Sequence, residues 1–380
     1  MASRVCLESN LMTSNLMRSI KIYETGLVKA ASCAVPFDWA KNKLEKMYVD
    51  RLSELKGIPL KLSQILSMSN DPRKSALFIK SQNDIKPLEL KYILPHLKMI
   101  NPKLIVEMDH ISEECFPASM GQVHQIQLKN GKEYALKILY PHIEDCLKVD
   151  EKFISLVFST FDKFKDGFAL ESYKKMIAED IKNELDLNRE RELQQKVFQH
   201  FAKQSNIIIP SPNASLSNKS CLVMSYEPSV SFQDSLASLT LDQKYELSNA
   251  WVDYFFEMIF DLNLIHADPN PGNYGVRIEN EKAFLVVYDF GSVFHFKKEN
   301  AIILLKIFSD VMEGKSDMLG LLTALGFDGE VLAPIEGQLL AFFDLLAEPF
   351  LSEGRYDLKN WKHKERAKNI LGDNRWSFMF

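Results

Sequence analysis

The chain is poor in the features that would mark a secreted, membrane-spanning or nucleic-acid-binding protein. Its five cysteines (Cys6, Cys33, Cys115, Cys146 and Cys221) are odd in number, scattered, and form no CxxC pair. That excludes a disulfide framework and a paired-thiolate zinc site, and it fits a reducing compartment. No run reaches the ~18 uninterrupted apolar residues of a membrane span. Positive charge is not in excess either: 46 Lys/Arg stand against 51 Asp/Glu, a net charge of −5, which argues against a general nucleic-acid binder. There is no internal repeat and no low-complexity tract, and with 15 Gly and 15 Pro no long disordered arm is expected. The stretch MASRVCLESNLMTSNLMRSI has no apolar signal core. It is Ser-rich with two Arg, like a mitochondrial presequence, but Glu8 counts against that reading. The expected location is cytoplasmic, with peripheral membrane contact and the mitochondrial matrix side both left open.

What is present points to two lobes, or one domain plus an extension, since 380 residues exceed a typical domain. Charge is uneven: residues 1–110 hold 17 Lys/Arg against 11 Asp/Glu. Such a segment suits either a solvated helical surface or contact with anionic lipid. The most informative stretch is HADPNPGNYGVRIENEKAFLVVYDFG, His266 to Gly291. Asp268 is followed five residues on by Asn273, then by an apolar run from Ala283 to Tyr288 that ends in Asp289-Phe290-Gly291. Phosphoryl-transfer sites need a carboxylate near the acceptor, then an amide and a second carboxylate to hold Mg²⁺ on the phosphates. Two polar turns flanking a hairpin would place similar residues, but HxDxxxxN followed by a strand and DFG is the more specific pattern.

Upstream lies FPASMGQVHQIQLKNGKEYALKILYP, Phe116 to Pro141. Gln122–Leu128 and Glu133–Leu139 alternate as strands, and Asn130-Gly131 between them predicts a hairpin. Lys137 sits in the second strand behind a small-residue loop, Ala118-Ser119-Met120-Gly121. A lysine in an apolar strand is usually a face-out residue; behind such a loop it reads as the lysine that orders phosphates and pairs with a helix glutamate. A helix over about 170–201 carries NELDLNREREL, with Glu184, Asp186 and Glu190. A solvated helix face would look the same. Helices are also predicted over 9–34, 37–70, 88–99, 241–264, 298–313, 317–325 and 330–347. Lys61 and Gln64, three apart in the second of these, share one face. Leu104–Met108 is predicted extended, and Ile207–Ile209 with Cys221–Tyr226 as further strands of the hairpin's sheet.

The order of small-residue loop, strand Lys, helix Glu, HxDxxxxN and DFG is similar to that of protein-kinase-like folds. LKLSQILSM, PASMGQVH, YALKILYP, ELDLNRE and HADPNPGN together resemble the UbiB/ADCK family of atypical kinases. That resemblance implies an α+β, bilobal fold, with a small β-sheet lobe, a large helical lobe and an N-terminal helical extension, divided as 1–110, 111–228 and 229–380. It assigns Lys61 and Gln64 to the family's KxGQ motif, with Ser63 replacing its glycine, and Glu184 and Asp186 to its ExD motif. Ala118, Ser119, Met120 and Gly121 correspond to the loop over the phosphates, and Glu227 to the hinge at an adenine edge. Lys137 and Glu190 correspond to the ion pair, Asp268 to the catalytic carboxylate, and Asn273 and Asp289 to the Mg²⁺ ligands. The implied function is that of an ATP- and Mg²⁺-using atypical kinase or ATPase supporting isoprenoid-quinone (ubiquinone) biosynthesis. Contact with lipid, quinone precursors and quinone-biosynthesis proteins would follow, with no nucleic-acid partner. Two other readings stand beside it: a phosphotransferase acting on protein Ser/Thr or a small alcohol, and a nucleotide-gated scaffold. Lys61 is expected to reach Glu184 or Asp186.

Overall fold

The computed structural model describes residues 87–144 except 119, residue 179, and 181–372 except 204, 205, 269, 315, 316 and 355, with short helical pieces between 21 and 48. Lys61, Ser63, Gln64 and Ser119 lie outside the described residues, and so does the expected contact of Lys61 with Glu184 or Asp186. The chain forms two compact units: residues 1–162, 171–252 and 267–293 make one, and 163–170, 253–266 and 294–380 the other. The expected boundary at 228/229 falls inside the first unit.

The first unit opens with α1 (Leu90–Ile100) and α2 (Pro102–Glu107). Asn101 ends one and caps the other: its side chain accepts the Leu104 N–H at 3.1 Å and donates to the Leu216 carbonyl at 2.8 Å. Pro102 follows at the first helical position, where its missing N–H is no loss. Leu104–Glu107 is therefore helical rather than extended, and the strand β1 begins only at Met108, running to Pro117. It pairs antiparallel with β2 (Gly121–Leu128), which pairs with β3 (Glu133–Leu139). The β2–β3 turn is closed by Leu128 N–H to the Lys132 carbonyl at 2.9 Å, with Gly131 at φ +80°. Gly131, not the Asn130-Gly131 pair, takes the left-handed position, as in a three-residue hairpin loop.

The chain then re-enters through α3 (Leu187–Phe201). The single helix expected over 170–201 is interrupted just before it. Leu185 makes a turn and Asp186 becomes the cap of α3, accepting the N–H groups of Asn188 at 3.1 Å and Arg189 at 3.4 Å. Glu190, Gln194, Val197 and Phe201, at helical spacing, form the buried face of α3. After it, β4 (Ile207–Ile208) pairs in parallel with β9 (Lys282–Val287), so it belongs to a second sheet and not to the hairpin's. The physical reason is the partner: Leu285, Val286 and Val287 are fully buried and offer an apolar strand to both sides. The residues just beyond β4 do rejoin the first sheet, with Asn213 N–H reaching the Val223 carbonyl at 2.7 Å.

β5 (Cys221–Ser225) completes the first sheet in the order β1-β2-β3-β5, and the second sheet runs β4-β9-β8-β6, with β6 at Val230–Ser231 and β8 at Tyr274–Glu279. Leu136, Ile138, Leu222 and Val223 of the first sheet pack with Ile93, Leu97 and Leu104 as one core. The other unit is mostly helical, with one short strand, β7 (Leu264–His266). α4 (Leu241–Phe260) ends in it, and α5 (Lys298–Met312), α6 (Met318–Ala324), α7 (Glu336–Leu351) and α8 (His363–Leu371) follow. Ile307, Leu322 and Leu339 are at the centre of its core.

A buried polar network fastens the segment ahead of α1 to β2. Gln122 accepts the Leu88 N–H at 2.8 Å and donates to the Leu88 carbonyl at 3.0 Å, and its amide nitrogen lies 2.7 Å from His124 Nε2. His124 Nδ1 lies 2.8 Å from the Ser112 carbonyl, which makes Nδ1 the protonated nitrogen and Nε2 the acceptor. Burial lowers the pKa of His124, opposed more weakly by that carbonyl. Because the folded-state pKa lies below the unfolded value, the unfolded chain takes up the proton first as pH falls. Stability carried by neutral His124 is thus complete above about pH 6.5 and declines below it. Melting temperature is expected to fall between pH 7.5 and pH 5, with a shallower fall in His124→Gln. Equal slopes in parent and variant would remove His124 from this role.

Candidate active site

Lys137 lies at the middle of β3, opposite Val123 of β2 and Leu222 of β5, so two neighbouring strands fix its backbone. Its Nζ donates to Glu190 Oε1 at 2.7 Å and to Asp289 Oδ1 at 3.1 Å. Glu190 sits one turn into α3 with 1% of its side chain exposed. Burial alone would lower the Lys137 pKa, but the carboxylates of Asp289 and Glu190 outweigh it and hold the ammonium above its usual range. Burial, and then the charge of Asp289, push Glu190 up to about 7 against the pull of Lys137. The two directions compete. The ammonium is the firmer of the two, because it has two carboxylate partners, whereas Glu190 Oε2 is buried with none among the described residues.

Asp289 Oδ1 also accepts the Gly291 N–H at 2.8 Å, and Phe290 is fully buried beneath it. Gly291 is surrounded by acids: a Cβ there would come within 3.2 Å of Asp289 Oδ1, 3.5 Å of Glu190 Oε2 and 3.7 Å of Glu184 Cγ. Glu184 accepts the Ser292 hydroxyl at 3.4 Å, while Asp186 serves as the α3 cap. The ExD-like pair therefore divides its work, with Glu184 beside the DFG turn and Asp186 holding the helix that bears Glu190. Sequence reasoning missed Arg189. Its guanidinium donates to the carbonyls of Gly291, at 3.2 Å, and Val293, so that α3 grips the DFG turn directly.

Asn273 ends a one-turn 3₁₀ helix that starts at Pro271 and is capped by Asn270. Its Nδ2 donates to Asp268 Oδ2 at 3.0 Å and to the Asp268 carbonyl at 3.2 Å. With the nitrogen so engaged, the amide oxygen is the atom left to face a cation. Asn273 and Asp289 both line a cavity of about 370 Å³, together with Lys137. A carboxylate and an amide oxygen lining the same cavity are the hard ligands Mg²⁺ takes, so the residues present fit that ion. Asp268 is joined to the cavity through Asn273 and does not itself line it.

Of the loop expected over the phosphates, Ala118 lines the cavity, with Phe116 and Pro117 beside it. Met120 and Gly121 do not. The Met120 side chain is buried in the hydrophobic core, and Gly121 is the first residue of β2, paired with Leu139. A Cβ at Gly121 would collide with the Ile138 carbonyl, so strand packing by itself requires glycine there. Tyr226 and Glu227 also line the cavity. The Glu227 carboxylate is already engaged, with Arg277 at 2.6 Å and the Ser225 hydroxyl at 2.7 Å, so only its backbone is offered inward.

Residues 106–320, more than half of the chain, match the family model described as the ABC1 atypical kinase-like domain. A protein named probable protein kinase UbiB from Providencia stuartii is 31% identical over 70% of this chain and 51% of its own length. AarF domain-containing kinase 1 of Drosophila melanogaster is 26% identical over 74% of this chain and 58% of its own length. Atypical kinase coq-8, mitochondrial, of Caenorhabditis elegans is 22% identical over 85% and 44% respectively. The chain thus spans about half the length of these relatives. Among solved structures, Rv3197 of Mycobacterium tuberculosis in complex with erythromycin superimposes with a TM-score of 0.58 at 20% identity, covering 82% of this chain and 81% of that one. That likeness is one of fold.

Proposed function

The chain belongs to the ABC1, or UbiB/ADCK, family of atypical kinases, with a kinase-like α+β fold, and from that premise we propose that it is an Mg-ATP-dependent kinase or ATPase supporting isoprenoid-quinone (ubiquinone) biosynthesis. The observation that carries the reading is the joining of Lys137 to both Glu190 and Asp289 on the wall of a cavity that Asn273 also lines. Asn273 and Asp289 would hold Mg²⁺, which when bound neutralises charge on phosphate oxygens. Lys137, kept protonated by two carboxylates, would order the α/β phosphates. Glu190 keeps that ammonium aimed, and Arg189 keeps the turn bearing Asp289 in place. Asp268 would orient a hydroxyl or a water, its own direction set by Asn273. The quinone part of the reading rests on the UbiB- and coq-8-named relatives. Lipid or quinone-precursor contact and peripheral membrane association belong to the same proposal; no helix among the described residues is long and apolar enough to cross a membrane.

The test is ATP turnover by the purified chain with and without Mg²⁺, with and without anionic liposomes, alongside phosphoryl transfer to an added protein. Mg-dependent turnover without protein phosphorylation is the expected result. Transfer to protein Ser/Thr would favour the phosphotransferase reading, and ATP binding without turnover the scaffold. No ATP binding at all would end the proposal.

A further inference from the structure

Resting on the nucleotide-binding reading above, we propose that Arg277 is a positioning residue that sets the segment Ser225–Ser229 for recognition of the purine base of the nucleotide. Arg277 lies on β8, next to Val276, which pairs with Val230 of β6 immediately after that segment. Its Nε donates to the Pro228 carbonyl at 2.9 Å and one of its terminal nitrogens to Glu227 Oε2 at 2.6 Å. The fork is well sheltered, with side-chain exposures of 17% for Arg277 and 20% for Glu227. The other Glu227 oxygen accepts the Ser225 hydroxyl, whose oxygen accepts the Ser211 N–H at 2.8 Å. Ser229 donates to the Glu227 carbonyl at 3.1 Å and bonds the Tyr288 hydroxyl, which lines the same cavity.

The segment's polar groups are thereby sorted into two sets. The carbonyls of Glu227 and Pro228 and the Glu227 carboxylate are satisfied by Ser229, Arg277 and Ser225. Among the described residues, no hydrogen bond engages the Tyr226 carbonyl or the Glu227 N–H, and both residues line the cavity. The Tyr226 carbonyl and the Glu227 N–H share one trans peptide and point opposite ways, so the segment offers one of the two as a polar edge to a purine. Arg277 holds that edge from behind: a planar guanidinium can bridge a carbonyl and a carboxylate at once, whereas an ammonium is a point charge. Without the fork, the Glu227 carboxylate loses its counter-charge and the segment loses its tie to β8.

The experiment compares dissociation constants of Mg-ATP, Mg-GTP and Mg-tripolyphosphate for the full parent chain, Arg277→Met and Arg277→Lys. Tripolyphosphate has no base, so it reports the Lys137 and Asp289 side alone. Arg277→Met is expected to weaken Mg-ATP about tenfold, narrow the ATP-to-GTP ratio, and leave tripolyphosphate unchanged. Arg277→Lys is expected to restore less than half of the loss. Should Arg277→Met fail to fold, Glu227→Gln, which keeps the shape but drops the charge, is expected to show the same base-specific loss. Equal weakening of ATP and tripolyphosphate, or no weakening of either, would overturn the role of Arg277. A parent chain that binds tripolyphosphate but neither nucleotide would also overturn it, while one that binds none of the three would overturn the nucleotide reading itself.

Discussion

Asp289→Asn is expected to abolish Mg-dependent ATP turnover while leaving the protein folded. Asp289 Oδ1 accepts from Lys137 at 3.1 Å and from the Gly291 N–H at 2.8 Å, with 34% of its side chain exposed. An asparagine can still accept from Gly291, so the turn keeps its geometry. What goes is the negative charge, the part a hard dication needs most. A loss of at least about 100-fold in turnover, equivalent to about 2.7 kcal/mol of transition-state stabilisation, is the expected size. Melting temperature should move little, because about a third of the Asp289 side chain is exposed and Lys137 keeps its 2.7 Å bond to Glu190. Both quantities are read from one preparation, by a phosphate-release assay over a Mg²⁺ titration and by a thermal melt. Turnover at the parent rate would show that Asp289 is not a metal ligand, and a large fall in melting temperature would show that its role is structural.

How far the fold was legible in the chain depends on how local each signal is. The β2–β3 hairpin, Lys137 within it and the DFG turn were readable, because alternation, a glycine turn and a short motif need only neighbours in sequence. The helix start at Asn101-Pro102 is equally local and points to α2, a cap followed by proline, although the apolar run after it also suits a strand. The break at Asp186 was not legible: the run around it is charged and free of Gly and Pro, and Arg189 stands where a capping-box glutamate would have flagged a helix start. Arg189 and Arg277 were missed for a different reason. Each acts on a carbonyl about fifty to a hundred positions away, and a lone arginine on a helix or a strand looks the same whether it meets solvent or a distant backbone. Gly121 shows a further limit: the small-residue pattern marks the glycine, but its close neighbour, the Ile138 carbonyl, is brought there only by the strand pairing.

The second large effect concerns Lys137 and Glu190 as a unit. Each single substitution, Lys137→Ala or Glu190→Gln, is expected to weaken ATP binding by a similar factor, and the double variant to lose little more. The geometry says why coupling should be strong but not complete. The 2.7 Å bond to Glu190 is nearly sealed from solvent, and removing one partner of a buried pair costs roughly 3–5 kcal/mol by leaving the other uncompensated. Lys137 has a second carboxylate, however, at 3.1 Å in Asp289. Glu190→Gln therefore leaves the ammonium paired but drawn toward Asp289, misplaced for phosphate yet still charged. Lys137→Ala leaves two carboxylates and no cation, and Glu190, already pushed up to about 7 by burial, would shed its charge by taking a proton. The stability loss should accordingly be smaller for Glu190→Gln than for Lys137→Ala, while the binding losses stay alike, since each leaves the phosphates without a correctly placed ammonium. A double-mutant cycle on the ATP dissociation constant should return a coupling of about 1–3 kcal/mol, within the range for residues in direct contact. Additive losses would separate the two roles, and Glu184, the next acid beside Gly291, would then be the residue to test against Lys137.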